Sequence, residues 1–472
     1  MKSRQRTFLG RIGYSLTANT MSSVVSFATA FLLPKYFGDS ISQYGYWQVF
    51  MFYLSYLGFF HFGWCDGIYL FEGGKYYQTL DYRSYAAQLR LITLIETCIA
   101  LAIIGASYFL VDDKDLRYIT NMLAANLILV IPRTMLLIIL QSTNRIKEYS
   151  LIIAVNRFLY IIGLMMVFVY SLRTYKAVLV VELAASFFSL LLSLYFTKEI
   201  LMAKPAKFAV GLREAWRHTR VGISLLASNI SSLLITGVVR WGIQYRWQVS
   251  TYGKVALSLS ISNLLLTFIV SVSTVLYPTL RRIDKALLVR LYPNVRSVLV
   301  FPLLGILIIV YPLQLIIGAW LPAYSDSLVF LAVVFPLAVF SSKTVLLVQT
   351  YMNVFRYERT MLKVNGVSVL FSAMLTYVAV FALGDLMLTM FVILFSEVIR
   401  STLAECMLAK RLKLKVRIGM IVEFSLVMAY YLSHFLIGGW IGVLVYTALY
   451  SICLLSGWKQ LKDSAKSIKQ LL

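Results

Sequence analysis

The sequence predicts an all-α membrane protein of about fourteen transmembrane helices, built as two six-helix lobes with two further helices at the C-terminal end. Three observations predict it. Of 472 residues, 60% are hydrophobic and only 14% charged, with a mean hydropathy of +0.80, against about 45–50% apolar and about 25% charged in soluble chains. Apolar windows of about 20 residues, long enough to cross the hydrocarbon core of a bilayer, recur along the whole length. A segment near the start also returns about 209 residues later.

In order, the windows lie near 12–33, 44–64, 89–110, 118–141, 150–171, 177–197, 221–240, 252–277, 297–320, 328–352, 364–384, 386–409, 418–437 and 439–458. The basic start Met1 to Arg11, with Ala28-Thr29-Ala30 as a weak cleavage site, imitates a signal peptide. The apolar run reaches Leu33 and further spans follow, so the first window reads as a retained helix. Only Gly384-Asp385 and Gly438-Gly439 separate the last two pairs of windows, which are therefore the places where neighbouring helices most readily merge. The residues left over form short loops, with no room for a nucleotide-binding cassette, and no G-x-x-x-x-G-K-[ST] run occurs. Any transport must draw on an ion gradient, the membrane potential or the gradient of the substrate.

The charge balance, 44 Lys+Arg against 20 Asp+Glu or +24, would suggest nucleic acid in a soluble chain. With the N-terminus inside, roughly four in five of the loop Lys and Arg fall on cytoplasmic segments. The positive-inside rule then places both termini in the cytoplasm and accounts for the net charge without nucleic acid. Cys65, Cys98, Cys406 and Cys453 lie in or beside apolar windows and read as small packing residues. His61, His218 and His434 are scattered, and no metal-ligand spacing is present.

The repeat pairs Arg11-Ile-Gly-Tyr-Ser-Leu-Thr-Ala-Asn-Thr-Met-Ser-Ser23 with Arg220-Val-Gly-Ile-Ser-Leu-Leu-Ala-Ser-Asn-Ile-Ser-Ser232, and continues as Tyr44-Gly45 and Tyr252-Gly253. Chance likeness of two helix starts is the plainer alternative. An even number of windows separates the copies, so they run in the same direction. A parallel repeat implies lobes related by an axis along the membrane normal, with a substrate site near the midplane between them. The expected divisions are 1–200, 201–415, and 416–472 for the two added helices and a basic tail. Ser15, Asn19, Ser22 and Ser26 on one repeated helix, and Ser224, Ser228, Ser231, Thr236 and Arg240 on the other, share a stripe. Such a stripe suits a cavity wall or small-residue helix packing equally.

Arg133, Arg157, Lys343 and Arg400 lie inside windows, and Arg240 near the end of one. Each costs about 2.5–3.5 kcal/mol at a helix centre, so each should face protein or water. Five inward cations would make an anion site, and arginine's planar fork suits phosphate oxygens. Each has a local alternative: Arg400 an ion pair with Glu397 three residues earlier, Arg133 the carbonyls freed by a kink at Pro132, Arg240 snorkelling to the interface. Arg157 and Lys343 show no local partner. Glu96, Glu182, Glu397, Glu405 and Glu423 are candidates for H⁺ or Na⁺ coupling, or they neutralise the cations.

The stretch Gly58-Phe-Phe-His-Phe-Gly-Trp-Cys-Asp66-Gly67-Ile-Tyr-Leu-Phe-Glu72-Gly73-Gly74-Lys75, with Tyr44-Gly45-Tyr-Trp and the two-lobe layout, resembles the polysaccharide-transporter branch of the multidrug/oligosaccharidyl-lipid/polysaccharide exporter superfamily. Asp66, Gly67, Gly73, Gly74 and Lys75 look like the D-G-x-Y-x-x-x-G-G-K pattern of Gram-positive members, while Phe71 stands where an arginine is expected. The resemblance implies a flippase of the bacterial cytoplasmic membrane that carries undecaprenyl-pyrophosphate-linked oligosaccharide for O-antigen, capsule or exopolysaccharide synthesis. It implies alternating access through a cationic cavity, Arg240 as a basic residue of the seventh helix, and a groove for the polyprenyl tail beside the last two helices. No cofactor is expected. The implied partners are the lipid-linked oligosaccharide, membrane lipids, and the polymerase and glycosyltransferases of the same pathway.

Alternatives within the superfamily are a flippase of lipid-linked peptidoglycan precursor and a cation-coupled small-molecule exporter. A membrane-embedded glycosyltransferase or polymerase would need a metal and nucleotide-sugar motif. Asp113-Lys114-Asp115 has the D-x-D form but falls in a short outward loop, where a polar turn is the better reading. The chain is therefore expected not to be an enzyme.

Overall fold

The computed structural model describes residues 22–280 and 284–471. The first copy of the repeat up to residue 21, with Ser15 and Asn19, lies outside the described residues. Helices, with short 3₁₀ and π turns, make up the regular structure, and no strand occurs among the described residues. Eleven helices there are long and apolar enough to cross a membrane, and the chain is a multi-pass membrane protein. The three remaining windows, 12–33, 44–64 and 252–277, meet the helix over 22–37, the Ile41–Leu57 helix with the turn after it, and the Val249–Leu280 helix. The windows at Gly384 and Gly438 do not merge. Each helix there ends in a π turn, then a glycine with φ of +65° or +67°, positive values that glycine adopts without strain, Gly384 as a left-handed cap.

Backbone contacts divide the chain once, into residues 1–230 and 231–472. The boundary falls inside the helix Phe208–Arg246, and the last two helices pack within the second unit.

In the first unit, α1 covers 22–37, α2 Ile41–Leu57, α3 Trp64–Glu72, α4 Tyr82–Leu110, α5 Lys114–Ser142, α6 Ile146–Val169, α7 Tyr175–Phe196 and α8 Lys198–Met202, and α9 (Phe208–Arg246) begins. α5 packs against α2, α3, α4 and α7. Asp81 caps α4 by accepting from the Arg83 and Ser84 amides, and Asp113 caps α5 by accepting from those of Asp115 and Leu116. The D-x-D stretch is thus a helix cap, and Asp115 accepts from the Tyr175 hydroxyl at 2.7 Å and pairs with Lys176 at 3.1 Å. α3 meets α9 backbone to backbone. A methyl group on Gly63 would strike the Ile223 amide, one on Gly67 the His218 carbonyl, and one on Gly222 the Gly63 carbonyl. Small residues four apart permit that approach in a membrane helix.

In the second unit, the rest of α9 is followed by α10 (Val249–Leu280), α11 (Lys285–Gly305) and α12 (Val310–Trp320). A broken helix comes next, of α13 (Leu328–Val334), α14 (Pro336–Lys343), a π turn over Thr344–Gln349 and α15 (Thr350–Val354). Then follow α16 (Glu358–Thr376), α17 (Leu386–Leu412), α18 (Arg417–Leu432) and α19 (Gly439–Leu471). The span Pro322–Val354 is the enclosed one, with 89% of its apolar window buried, against α10, α11 and α17. The repeat offset carries α5 onto this same stretch, and among the eleven apolar spans of the described residues these two have the largest buried shares, 56% and 89%.

Candidate functional site

Each unit holds intramembrane charges, but they are arranged differently. In the second unit, Lys343 at the end of α14 is 1% exposed. Its Nζ lies 2.8 Å from Glu423 Oε1 on α18 and 3.1 Å from Glu405 Oε2 on α17. Arg296 on α11 completes the group, with Nε 2.6 Å from Glu405 Oε1 and Nη2 2.8 Å from Glu423 Oε2. The Tyr292 hydroxyl, one turn before Arg296, donates to Glu405 at 3.1 Å. Two cations and two carboxylates close a neutral ring among α11, α14, α17 and α18. Such a ring offsets the desolvation of its members only if it stays complete.

Lys343, expected as a substrate cation with no partner, is therefore enclosed between two carboxylates, and Glu405 and Glu423 are each met by both cations. Arg296 escapes the sequence pattern, because Pro293 confines the apolar window to residues from 297 onward. In the structure the helix continues through Pro293. The signal in the sequence is Tyr292 and Arg296, spaced to share a helical face.

Arg400 on α17 makes the ion pair to Glu397 that their spacing offers, at 3.3 Å to both oxygens. It also donates to Asn365 Oδ1 at 3.1 Å and to Ser232 Oγ at 2.7 Å. Arg240 on α9 donates to the Tyr252 hydroxyl at 3.1 Å and lies over that ring.

The first unit keeps its cations less neutralised. Arg133 on α5 is half-buried and donates to Ser189 Oγ on α7 at 3.3 Å. Pro132 leaves α5 unbroken, and Arg133 serves this hydroxyl and no freed carbonyl. Arg157 on α6, also half-buried, acts electrostatically on both Arg133 and the buried Glu182 of α7. Among the described residues neither arginine has an ion pair within 4.0 Å. Arg133 Nε, Asn156 Nδ2, Glu182 Oε2 and Ser186 Oγ are buried with no hydrogen-bond partner among those residues. Buried polar atoms are nearly always satisfied, so a group of exceptions on three adjacent helices calls for water, an ion or a ligand. Two guanidinium groups against one carboxylate favour an anion.

Glu96 stands apart on α4, 1% exposed. The family-motif residues run from the first turn of α3 to the turn just past its end. Asp66 lies 3.8 Å from His61, Gly67 meets the His218 backbone, and Gly73 caps the helix. Gly74, at φ +92°, donates its amide to the Ser142 carbonyl, and Lys75 pairs with Glu72 at 3.2 Å. At Phe71, where the pattern leads one to expect a base, the Arg217 guanidinium of α9 lies 4.6 Å over the ring. Nearby Arg145 stacks on Tyr77, and burial, with Glu199 beside it, pushes the Tyr77 phenol above its ordinary range. Among the described residues no cluster of His, Cys, Asp or Glu has the form of a metal site.

No protein-family model and no curated protein matches the chain. Solved structures do. The lipid II flippase MurJ in an inward closed conformation is similar over 94% of this chain and 99% of that chain, at 16% identity and a TM-score of 0.68. An inward-facing multidrug resistance MATE family transporter of the MOP superfamily is similar over 83% of this chain and 98% of that one, at 11% identity and 0.63. A MOP superfamily transporter from Pyrococcus furiosus, described as having a binding pocket of reversed polarity, matches at 12% identity and 0.50 over 85% and 95%. The likeness is one of fold: the chain has the helical architecture of these transporters.

Proposed function

We propose that the protein is a flippase for a lipid-linked oligosaccharide pyrophosphate in a bacterial cytoplasmic membrane, with its termini on the cytoplasmic side. The observation that carries this reading is the set of buried polar atoms without hydrogen-bond partners among the described residues of α5, α6 and α7, Arg133 Nε, Asn156 Nδ2, Glu182 Oε2 and Ser186 Oγ, where Arg133 and Arg157 both act electrostatically on one carboxylate. An apolar bilayer penalises surplus cations at such a place, and a pyrophosphate repays that cost with oxygens that match two guanidinium forks. Asn156 and Ser186 offer hydrogen-bonding groups to sugar hydroxyls. The polyprenyl tail stays in lipid, and the exposed apolar face of α19, with Trp440, Leu444 and Leu455, suits it. The fuller coverage of the lipid flippase than of the multidrug transporter, 94% against 83% of this chain, supports a lipid-linked cargo. Arg240 with Tyr252 is the corresponding basic candidate of the second unit. Lys343 and Arg400 take no part in this reading, since carboxylates already neutralise them.

A lipid-linked peptidoglycan precursor is the second reading, favoured by the likeness to the solved lipid II flippase. It presents the same pyrophosphate and differs in its sugar and peptide.

The test uses proteoliposomes holding either lipid and an added glycosidase that cleaves only externally exposed head groups. Wild-type protein should expose the oligosaccharide lipid in preference to the peptidoglycan precursor. Arg133→Ala and Arg157→Ala should each lower the rate about tenfold, the scale of one desolvated charge-assisted contact. Equal rates for wild type and both variants would sink the cationic site, and a preference for the precursor would establish the second reading.

A further inference from the structure

Within the first unit a cavity of about 170 Å³ lies between α4, the turn after α2 and the start of α9. Its walls include Phe60, Trp64, Ile92, Leu212 and Trp216, and Glu96 is among the residues that line it. Both Glu96 oxygens are buried and have no hydrogen-bond partner among the described residues. The other polar side chains that line it are Thr219 and His61. His61 does not supply the missing charge: its Nδ1 accepts from the Gly63 amide at 3.0 Å and its Nε2 faces Asp66 at 3.8 Å. The Trp64 indole is turned to Gln88 at 2.9 Å.

An ionised carboxylate left in this setting is strongly penalised by the loss of its hydration. A protonated one is no better placed, because its O–H finds no acceptor among the described residues. The site asks for a guest that brings N–H donors and positive charge to Glu96 and apolar surface to the walls. Water meets the first need and wastes the second. The volume is about that of a cavity known to hold benzene, so a body of roughly six carbon atoms fits. Leu212 and Trp216, 49% and 68% exposed, alternate along α9 with exposed Arg213, Arg217 and Arg220, the pattern of a segment at a membrane–water interface. The guest therefore arrives from the interfacial layer.

We propose that this cavity binds the protonated amine of an amphiphile, with the ammonium on Glu96 and the apolar body against Trp64 and Trp216. Two sources carry that chemistry, a free lipophilic amine and the ammonium head group of a phospholipid.

The full chain in detergent is titrated with n-hexylamine and n-hexanol, which share a chain and differ in charge, and binding is read by tryptophan fluorescence and by thermal melting. Hexylamine should bind at least tenfold more tightly than hexanol. Glu96→Gln should bring the two to parity, Glu96→Asp should keep the preference, and Trp216→Ala should weaken both probes alike. If Glu96→Gln fails to fold, the Asp and Trp216 variants still decide. In nanodiscs, retention of phosphatidylethanolamine over phosphatidylglycerol by wild type but not by Glu96→Gln assigns the lipid head group. A hexylamine preference without lipid selectivity assigns a free amine. Parity of the probes on folded wild type, or a preference that survives Glu96→Gln, overturns the proposal.

Discussion

Lys343→Ala is the substitution on which two accounts of the intramembrane charges differ most. If Lys343 were a cation held for substrate, its loss would slow transport and leave the fold alone. In the structure its ammonium is enclosed, 2.8 and 3.1 Å from two carboxylates that Arg296 also serves. Removing it leaves one cation for two buried carboxylates. Breaking a buried pair in this way costs about 3–5 kcal/mol. At about 2–4 °C per kcal/mol for a unit of this size, the melting temperature in detergent should fall by roughly 6–20 °C. The double variant Lys343→Met/Glu423→Gln restores neutrality and leaves Arg296 with Glu405, so it should recover most of the loss, because a neutral apolar replacement of a buried pair is often tolerated. Melting is followed by the fluorescence of a thiol-reactive dye or by scattering, with membrane insertion checked separately. A Lys343→Ala protein that melts like wild type, yet no longer transports, would refute the structural role and return Lys343 to the substrate site.

Two glycines give opposite expectations. Gly67→Ala drives a methyl into the His218 carbonyl and should destabilise by about 1–3 kcal/mol, whereas Gly366→Ala, inside α16 with open space around it, should be neutral or stabilise by up to about 1 kcal/mol; comparative melting of the two reads both. Asp81→Ala removes the cap of α4 and should cost about 1 kcal/mol, seen as faster hydrogen exchange confined to the first turn of that helix. Glu397→Gln leaves Arg400 its bonds to Asn365 and Ser232, so its melting temperature should fall by less than that of Lys343→Ala; an equal or larger fall would show that those two bonds do not hold the guanidinium.

What could be read from the sequence follows distance along the chain. Where the structure describes them, the windows fall on helices because hydropathy is a local property, and the caps at Asp81 and Asp113 are local as well. Glu397 and Arg400, three residues apart, could be paired on paper. Lys343 and Glu423, 80 residues apart, could not, nor could Arg296 and Glu405, 109 apart, since only the packing of α11, α14, α17 and α18 brings them together. Arg296 is hidden for a second reason: Pro293 makes its neighbourhood look like a loop, and loop arginines are counted toward topology. Near-cancellation of charge in the spans, which the sequence does show, thus has two unlike causes. In the second unit Arg296, Lys343 and Arg400 meet Glu405, Glu423 and Glu397 directly, and those charges hold the helices together. In the first unit Arg133 and Arg157 act on Glu182 electrostatically without an ion pair within 4.0 Å among the described residues, while Glu96 lines an apolar cavity with neither oxygen hydrogen-bonded among those residues. Charges that meet neutralise one another, so that losing one is costly, and they leave nothing for a ligand. Charges held apart in a bilayer keep their full desolvation penalty, and that penalty is what a ligand of opposite charge relieves.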